Sequence, residues 1–535
     1  MKALLMYPDR DFMLQASPQG LAQTPSQASP GSPHATPQIP AHTPPPAGLM
    51  QDLQLAVLLQ TMADGDRLVH EVAQQALLDA RHGELAVIRH RQEALTDCLR
   101  NPATLRQLYA LSVEAIEGRR KHYYFGISRH PGGILYSSVA ILHMFMELLG
   151  RLTALAATEG DRFQSHAFTT LFATLRRECS ADYFATVEQH LQRLQFKNGL
   201  TMGASLGSGN EGIDYVLHQP AQQPGWFRRL LGQEPPGYSF RIAERDEAGM
   251  TALGELRDCG INEVANALAQ SADHILDFFE RLRLELAFYV GCLNLHQRLQ
   301  ELGLALCLPE PQTDASRLRF DELTEPCLAL TLSAAVVGNS ADADGRGLII
   351  VTGANQGGKS SFLRSIGIAQ LMMQAGMFVA ARSLRATLCT DLFTHYKREE
   401  DATLTSGKLD EELERISVIA DRVHPGALIL FNESFASTNE REGSQIAGQI
   451  VRALLERRIR VLFVTHLYDF AHTCYERQRN GTLFLRAERR PDGTRPFRLV
   501  EAEPLQTSYG EDLYREVFHT DDRVPDIVPA IASQA

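Results

Sequence analysis

Apolar residues recur at spacings of three and four from Leu49 to about Phe196, as in Leu53, Val57, Leu58 and Met62, then Val69, Val72 and Leu77. That period lines one face of a helix, so the stretch reads as helical throughout. Asn101-Pro102, His130-Pro-Gly-Gly133 and Glu159-Gly160 break it into several helices. Between about Gly199 and Ala248 the period fails. Short alternating runs, Ile213-Asp-Tyr-Val-Leu and Tyr238-Ser-Phe-Arg-Ile, predict a small strand-containing insertion there. The helical pattern then returns: Ile261, Val264, Leu268, Ala272, Ile275, Phe279, Leu282, Leu286, Tyr289 and Leu293 form one apolar seam. It predicts a lever or strut of about 40 residues, roughly 60 Å long. After Pro309-Glu-Pro311 the pattern changes to short β-like runs, Leu328-Ala-Leu-Thr-Leu and Leu348-Ile-Ile-Val, interleaved with helices. The fold class is therefore α + α/β: a helical core and lever over 49–308, with a clamp-like insertion at about 199–248, and a P-loop α/β domain over 309–515.

The ends add little folded mass. Met1 to Phe12 predicts a short strand within an N-terminal segment, 1–15. Residues 16–48 carry no charge and are rich in proline, a composition that favours an extended linker. Pro44-Pro45-Pro46 reads as part of that spacer, with a docked partner as the alternative. Residues 516–535 form a tail. The length of 535 residues is that of two to four domains, and the net charge of −12 supplies no global basic field to draw nucleic acid. Any such contact must come from a local patch. The eight cysteines are scattered without a CxxC pair, as in a reduced cytoplasmic protein. No window of 18 uninterrupted apolar residues is present, so no membrane partner is expected.

Chemistry enters at Gly353-Ala-Asn-Gln-Gly-Gly-Lys-Ser360, between an apolar run and a helix-like Ser361-Phe-Leu-Arg-Ser-Ile. Strand, glycine loop and helix make a phosphate-binding loop. Glycines let backbone N–H groups turn inward around phosphates, a lysine reaches the outer phosphates, and a hydroxyl ligates Mg²⁺. Gly353, Gly358, Lys359 and Ser360 fill those places, with Asn355, Gly357 and Ser361 alongside, and ATP and Mg²⁺ are the implied cofactors. Downstream, the buried strand Ala427-Leu-Ile-Leu-Phe431 ends in Asn432-Glu433. A metal-associated group and then a catalytic carboxylate belong at that position. Glu433 is the candidate general base for water. Val461-Leu-Phe-Val464 ends in Thr465-His466, where a histidine senses the outermost phosphate. This is the order of an ABC-type ATPase.

Thr352-Gly-Ala-Asn-Gln-Gly-Gly-Lys-Ser-Ser361, Phe435-Ala-Ser-Thr438, Thr465-His466 and Ser508-Tyr-Gly510 together resemble the MutS family of DNA mismatch-repair ATPases. The loop is similar to that family's TGPNMGGKST, including the asparagine at Asn355. The helices from Leu53 to Leu78 and the long seam resemble, more loosely, its core and lever. The resemblance implies a homodimer in which each ATPase domain completes its partner's site. The signature segment in trans is read as Thr405-Ser-Gly-Lys-Leu-Asp-Glu-Glu412, with Ser406 and Gly407 as the contact and Ser437 and Thr438 as the adjoining loop.

Two departures qualify the resemblance. Asn432 stands where the family has an aspartate; an amide can hydrogen-bond a Mg²⁺-bound water but adds no negative charge. Slow or regulated hydrolysis is the expectation. At the front, the residues before the helical core are too few for a mismatch-reading domain and connector. Phe145-Met-Glu147, Phe278-Phe-Glu280, Phe320-Asp-Glu322 and Phe431-Asn-Glu433 match the family's F-x-E triplet, but none sits in a suitable context. In the insertion, Trp226, Arg228 and Arg229 offer aromatic and positive groups to phosphates, or tuck into their own domain. Arg119-Arg-Lys-His122 is a second basic group, at a place where cations also complement a helix dipole.

The leading expectation is an ATP-hydrolysing, nucleotide-gated clamp on mismatched or structured DNA, in repair or recombination and with a repair protein as further partner. The alternative is a nucleotide-gated protein-binding module with little hydrolysis and no direct mismatch reading. An ABC transport ATPase is disfavoured by the lever and by Asn355, and no compact nuclease cluster stands outside the ATP site.

Overall fold

Capping residues and prolines cut the helices where the sequence is punctuated. Four helices open the chain: α1 (Leu49–Asp52), α2 (Leu55–Ala63), α3 (Arg67–Asp79) and α4 (Leu85–Arg100). Pro102 then starts α5 (Pro102–Tyr124) and Pro131 starts α6 (Pro131–Glu159). Ser165 and Ser180 cap α7 (His166–Glu178) and α8 (Ala181–Leu194), their hydroxyls accepting first-turn N–H groups. The hairpin β1 (Thr201–Leu206) and β2 (Gly212–His218) leads to α9 (Glu247–Glu301), a helix of 55 residues. The computed structural model describes residues 2–14, 48–124, 130–196, 199–218, 240–314, 316–398, 407–477, 481–490 and 492–506. Two compact units result, Met1–Met13 with Thr96–Ala287 and Leu14–Leu95 with Phe288–Ala535, so the helical stretch from 49 to 308 is distributed over both.

In the first unit the expected strand over Met1–Phe12 does not form. Residues 2–14 run as bends, with Ala3, Leu5, Met6 and Phe12 buried. Their N–H groups find a carboxylate instead of a neighbouring strand. Leu5 and Met6 donate to Glu285 Oε2 at 2.7 and 2.6 Å, and Phe12 donates to Oε1 at 2.8 Å. Glu285 lies on α9 and is 0% exposed. Burial pushes its carboxyl above the ordinary value, against the pull of the three N–H groups. Asp11 meets Arg281, one helical turn earlier, at 2.8 Å.

The alternating run at Ile213 forms β2, paired antiparallel with β1. Of the second run, Phe240, Arg241 and Ile242 are not in a strand, and Tyr238 and Ser239 lie outside the described residues. α9 is longer than the seam predicts. Its first three turns expose Met250, Leu253 and Leu256, so the helix extends past the residues that carry a buried period. By length and composition α6 could cross a membrane, but Leu142, Leu149 and Leu152 are buried and Phe145 packs on Phe279 with ring centroids 5.9 Å apart.

The second unit holds the sheets. β3 (Glu310–Gln312), β4 (Leu318–Leu323), α10 (Pro326–Leu332) and β5 (Asn339–Asp342) come first, then β6 (Leu348–Gly353), α11 (Lys359–Gln374), β7 (Ser383–Thr387) and β8 (Leu392–Tyr396). They are followed by α12 (Lys408–Arg422), β9 (Leu428–Asn432), α13 (Glu440–Glu456), β10 (Arg460–Val464), α14 (Tyr468–Arg477), β11 (Thr482–Ala487) and β12 (Leu499–Glu501). The β-like run at Leu328 is helical, not extended. Pro326 sits in its first turn and the Glu325 side chain caps it by accepting from Leu328 N, two start signals that outweigh β-like composition.

The main sheet has the order β12-β11-β6-β10-β9-β8, parallel except at β12, and a smaller sheet runs β3-β7-β4-β5. Strands buried on both faces read as continuous apolar runs, as Leu348–Val351 and Leu428–Phe431 do. On one face Ile350, Phe431 and Phe463 pack with Val451, Leu454 and Phe470, and the Phe431 and Phe463 rings stack at 4.9 Å. On α11, Gly367 makes room for Leu53: a Cβ there would lie 2.8 Å from Leu53 Cδ2. The early helices are tied to this unit by Arg81–Asp391 at 3.0 Å and Arg398–Asp52 at 3.1 Å.

Candidate functional site

Parallel register brings the chemistry to one sheet edge. Val464 pairs with both Val351 and Asn432, so β6, β10 and β9 end abreast and the residues that follow them emerge side by side. That edge is where open α/β sheets bind ligands. The Glu433 N–H donates to Val464 O at 2.9 Å and the Thr465 N–H to Val351 O at 3.0 Å, which extends the register into the site residues themselves.

Between β6 and α11 the loop turns tightly. Gly353 has φ +106° and Gly358 φ +86°, and a Cβ on Gly353 would lie 2.8 Å from Ala487 N. At Gly357 a Cβ would lie 2.9 Å from Ala354 O, so glycine keeps the concave side of the loop open. Lys359 is 5% exposed, and its Nζ donates to Gly353 O and Ala354 O at 3.0 and 2.9 Å. Burial pushes its ammonium down from 10.5 to about 8, Glu433 pulls it back, and Arg495 adds to the fall. A buried ammonium whose hydrogen bonds among the described residues go to carbonyl oxygens is a cation poised for an anion.

Ser360, next in the chain, donates its hydroxyl to Asn432 Oδ1 at 3.0 Å. Glu433 Oε1 lies 2.9 Å from His466 Nε2. That hydrogen bond holds the Glu433 carboxyl below the ordinary carboxylate range; burial opposes it, while Lys359 and Lys397 add to it. Gly353, Asn355, Gly357, Gly358, Lys359, Ser360, Ser361, Asn432, Glu433 and His466 therefore gather at one edge.

A cavity of about 570 Å³ opens there, the size of a small-molecule site. Its lining joins the loop from Asn355 to Ser361 and Glu433 with the apolar side chains of Leu328, Leu332, Val336, Val337 and Phe497. The glycine-kept concavity and the buried Lys359 fit a polyphosphate, and the apolar part of the lining fits a base. Ser360 and Asn432 supply one hydroxyl and one amide oxygen, a donor set that suits a hard cation retaining most of its water. Among the described residues no cluster of three or more histidines, cysteines or carboxylates competes as a metal site.

Of the residues expected to act in trans, Ser437 donates to Glu412 Oε1 at 3.0 Å and Thr438 donates to Glu442, so both hydroxyls are engaged within the chain. Gly407 caps α12. Ser406, Trp226, Arg228, Arg229 and Ser508-Tyr-Gly510 lie outside the described residues. Arg119 pairs with Asp273 at 3.2 Å.

Sequence reasoning missed His395, Glu412, Phe497 and Arg495, which donates to Gln356 Oε1 at 3.1 Å. A lone histidine inside the apolar run Leu392–Tyr396 was the available signal for His395, and Glu412 ends the segment singled out for a contact in trans; Phe497 and Arg495 had none.

The family model of the MutS2 N-terminal domain matches residues 83–302, and that of MutS domain V matches residues 349–522. The chain belongs to the MutS family. Three individual MutS proteins match it over short stretches. MutS protein homolog 4 of Mus musculus is 30% identical over 137 residues, 26% of this chain and 14% of that protein. The DNA mismatch repair protein MutS of Thermus thermophilus is 29% identical over 166 residues, 31% of this chain and 20% of that protein. A probable DNA mismatch repair protein Msh6 of Drosophila melanogaster is 29% identical over 177 residues, 32% of this chain and 15% of that protein. The chain thus spans a fifth or less of the length of these MutS relatives.

Proposed function

We propose that this MutS-family chain binds ATP with Mg²⁺ in the cavity beside Lys359, hydrolyses it slowly, and works as a homodimeric, nucleotide-gated clamp on mismatched or structured DNA in repair or recombination. The observation that carries the reading is the Glu433–His466 pair at 2.9 Å, on the same sheet edge as the glycine loop. Glu433 stays ionised near neutral pH and is able to take a proton from water. His466 orients that carboxylate. Lys359 exchanges two carbonyl partners for phosphate oxygens, and the loop N–H groups hold the remaining charge. Mg²⁺, when bound, neutralises charge that develops on the phosphates. Ser360 and Asn432 are the residues to hold it, and the missing negative charge at Asn432 accounts for slow turnover.

Asn432 and the acidic composition favour a second reading, a nucleotide-gated protein-binding module with little hydrolysis. Electrophoretic binding to homoduplex, mismatched and branched DNA, with and without ATP and with Lys359→Ala as control, separates the two. The clamp requires salt-sensitive binding that ATP alters. Absence of any DNA binding at low salt with ATP present leaves the protein-binding module. A soluble, cytoplasmic protein with a repair partner is the setting in which either reading operates.

A further inference from the structure

Glu433 begins a turn whose backbone is unusual. Glu433 has φ +55° and Phe435 φ +63°, two side-chain-bearing residues in the left-handed region within three positions. L-residues adopt that region only where their surroundings hold them there, and such clusters mark functional sites. The surroundings here come from two elements outside the nucleotide cavity. Glu412, on α12 and 4% exposed, accepts from Phe435 N at 2.7 Å with Oε2 and from Ser437 Oγ at 3.0 Å with Oε1. His395, on β8 and 0% exposed, stacks its ring on Phe435 with centroids 5.5 Å apart and planes at 20°.

The two clamps are joined. His395 Nε2 lies 3.1 Å from the Glu412 carbonyl oxygen and its Nδ1 lies 2.7 Å from Ser434 Oγ. A carbonyl only accepts, so Nε2 carries the proton; Ser434 Oγ lies 2.7 Å from the His395 carbonyl oxygen as well, so its one hydroxyl proton is shared between that carbonyl and Nδ1, and burial, which pushes the imidazole down to about 4, keeps the ring neutral. Behind the turn, a Cβ on Gly443 would run into Phe435 O, so the loop has no slack on that side.

We propose that Glu412 and His395 are positioning residues for Glu433: they hold the strained 433–437 turn and connect it rigidly to α12, the helix capped by Gly407. Movement of the N-terminal end of α12 is thereby transmitted to the carboxylate that faces His466. This rests on the hydrolytic reading of Glu433 given above.

The test uses the full-length chain with Glu412→Ala and Glu412→Gln. Glutamine retains one oxygen for Phe435 N–H and presents an amide N–H to the Ser437 oxygen, so it rebuilds both contacts. Glu412→Ala is expected to lower kcat for ATP roughly 100-fold while calorimetric ADP affinity stays within about 3-fold, and Glu412→Gln to recover most of the rate. A kcat for Glu412→Ala within about 2-fold of the parent overturns the assignment. If the parent itself releases no phosphate, the hydrolytic reading fails. The clamp is then judged by hydrogen exchange across 428–438. Protection lost in Glu412→Ala and kept in Glu412→Gln upholds it, and unchanged protection in both overturns it.

Discussion

Ser360 Oγ donates to Asn432 Oδ1 at 3.0 Å, linking the hydroxyl after the loop lysine to the last residue of β9. An aspartate at 432 accepts the same hydrogen bond and adds a negative charge. Asn432→Asp is therefore expected to tighten Mg²⁺ dependence and raise the rate of ATP hydrolysis. Phosphate release titrated against Mg²⁺ checks it, and an unchanged rate and midpoint would falsify the role proposed for the charge at position 432.

Glu433 is held below its ordinary value first by the His466 hydrogen bond. A depressed carboxylate stays ionised as pH falls, so the acid limb of kcat lies below the ordinary carboxylate range of about 4.3. Removing the partner in His466→Ala moves that limb upward. Glu433→Gln abolishes turnover, a loss of about 10²–10⁴-fold, with ADP binding retained. The pH–rate profiles of parent and variant decide this.

Lys359 sits near 8 without a bound anion. Phosphate beside it favours the ammonium, so ATP binding takes up a proton above pH 8 and affinity declines as pH rises through that value. Calorimetry in two buffers of different ionisation enthalpy measures the uptake. Lys359→Ala is expected to remove both the uptake and most of the affinity.

How much of this was legible in the chain differs from residue to residue. The glycine loop, Glu433 and His466 are local to strand ends, and parallel register assembles strand ends without further information. The Leu328 run misled because a capping glutamate and a proline outweighed its composition. The expected strand at Met1–Phe12 has its hydrogen-bond partner some 270 residues away, at Glu285. Periodicity reads faces, not partners at that distance. Glu412 lies inside the segment singled out for a contact in trans, but its role within its own chain depends on the φ angles of Glu433 and Phe435, which no sequence pattern reports.

Glu285 gives a stability prediction. Glu285→Ala leaves three buried N–H groups without their acceptor, at a cost of about 2–5 kcal/mol. Glu285→Gln also destabilises, because its amide nitrogen meets the N–H groups it replaces an acceptor for. Urea denaturation followed by circular dichroism reads both, and parent-like midpoints would refute the role.

On the DNA reading, Arg228 and Arg229 contact phosphates. Replacing both with alanine is expected to reduce the slope of log K against log salt by about 2, with little change in preference among DNA structures. An unchanged slope places the contact elsewhere.

The carboxylate of Glu285 also sets an order of events at the ribosome. Leu5, Met6 and Phe12 can reach this carboxylate only after residue 285 has been made. At roughly 5–20 residues per second that delay is about 15–60 s. Each unit is likewise assembled from an early and a late stretch of chain. Neither unit closes its core from its earlier stretch alone, so Leu5, Met6 and Phe12 wait for the helix that carries Glu285.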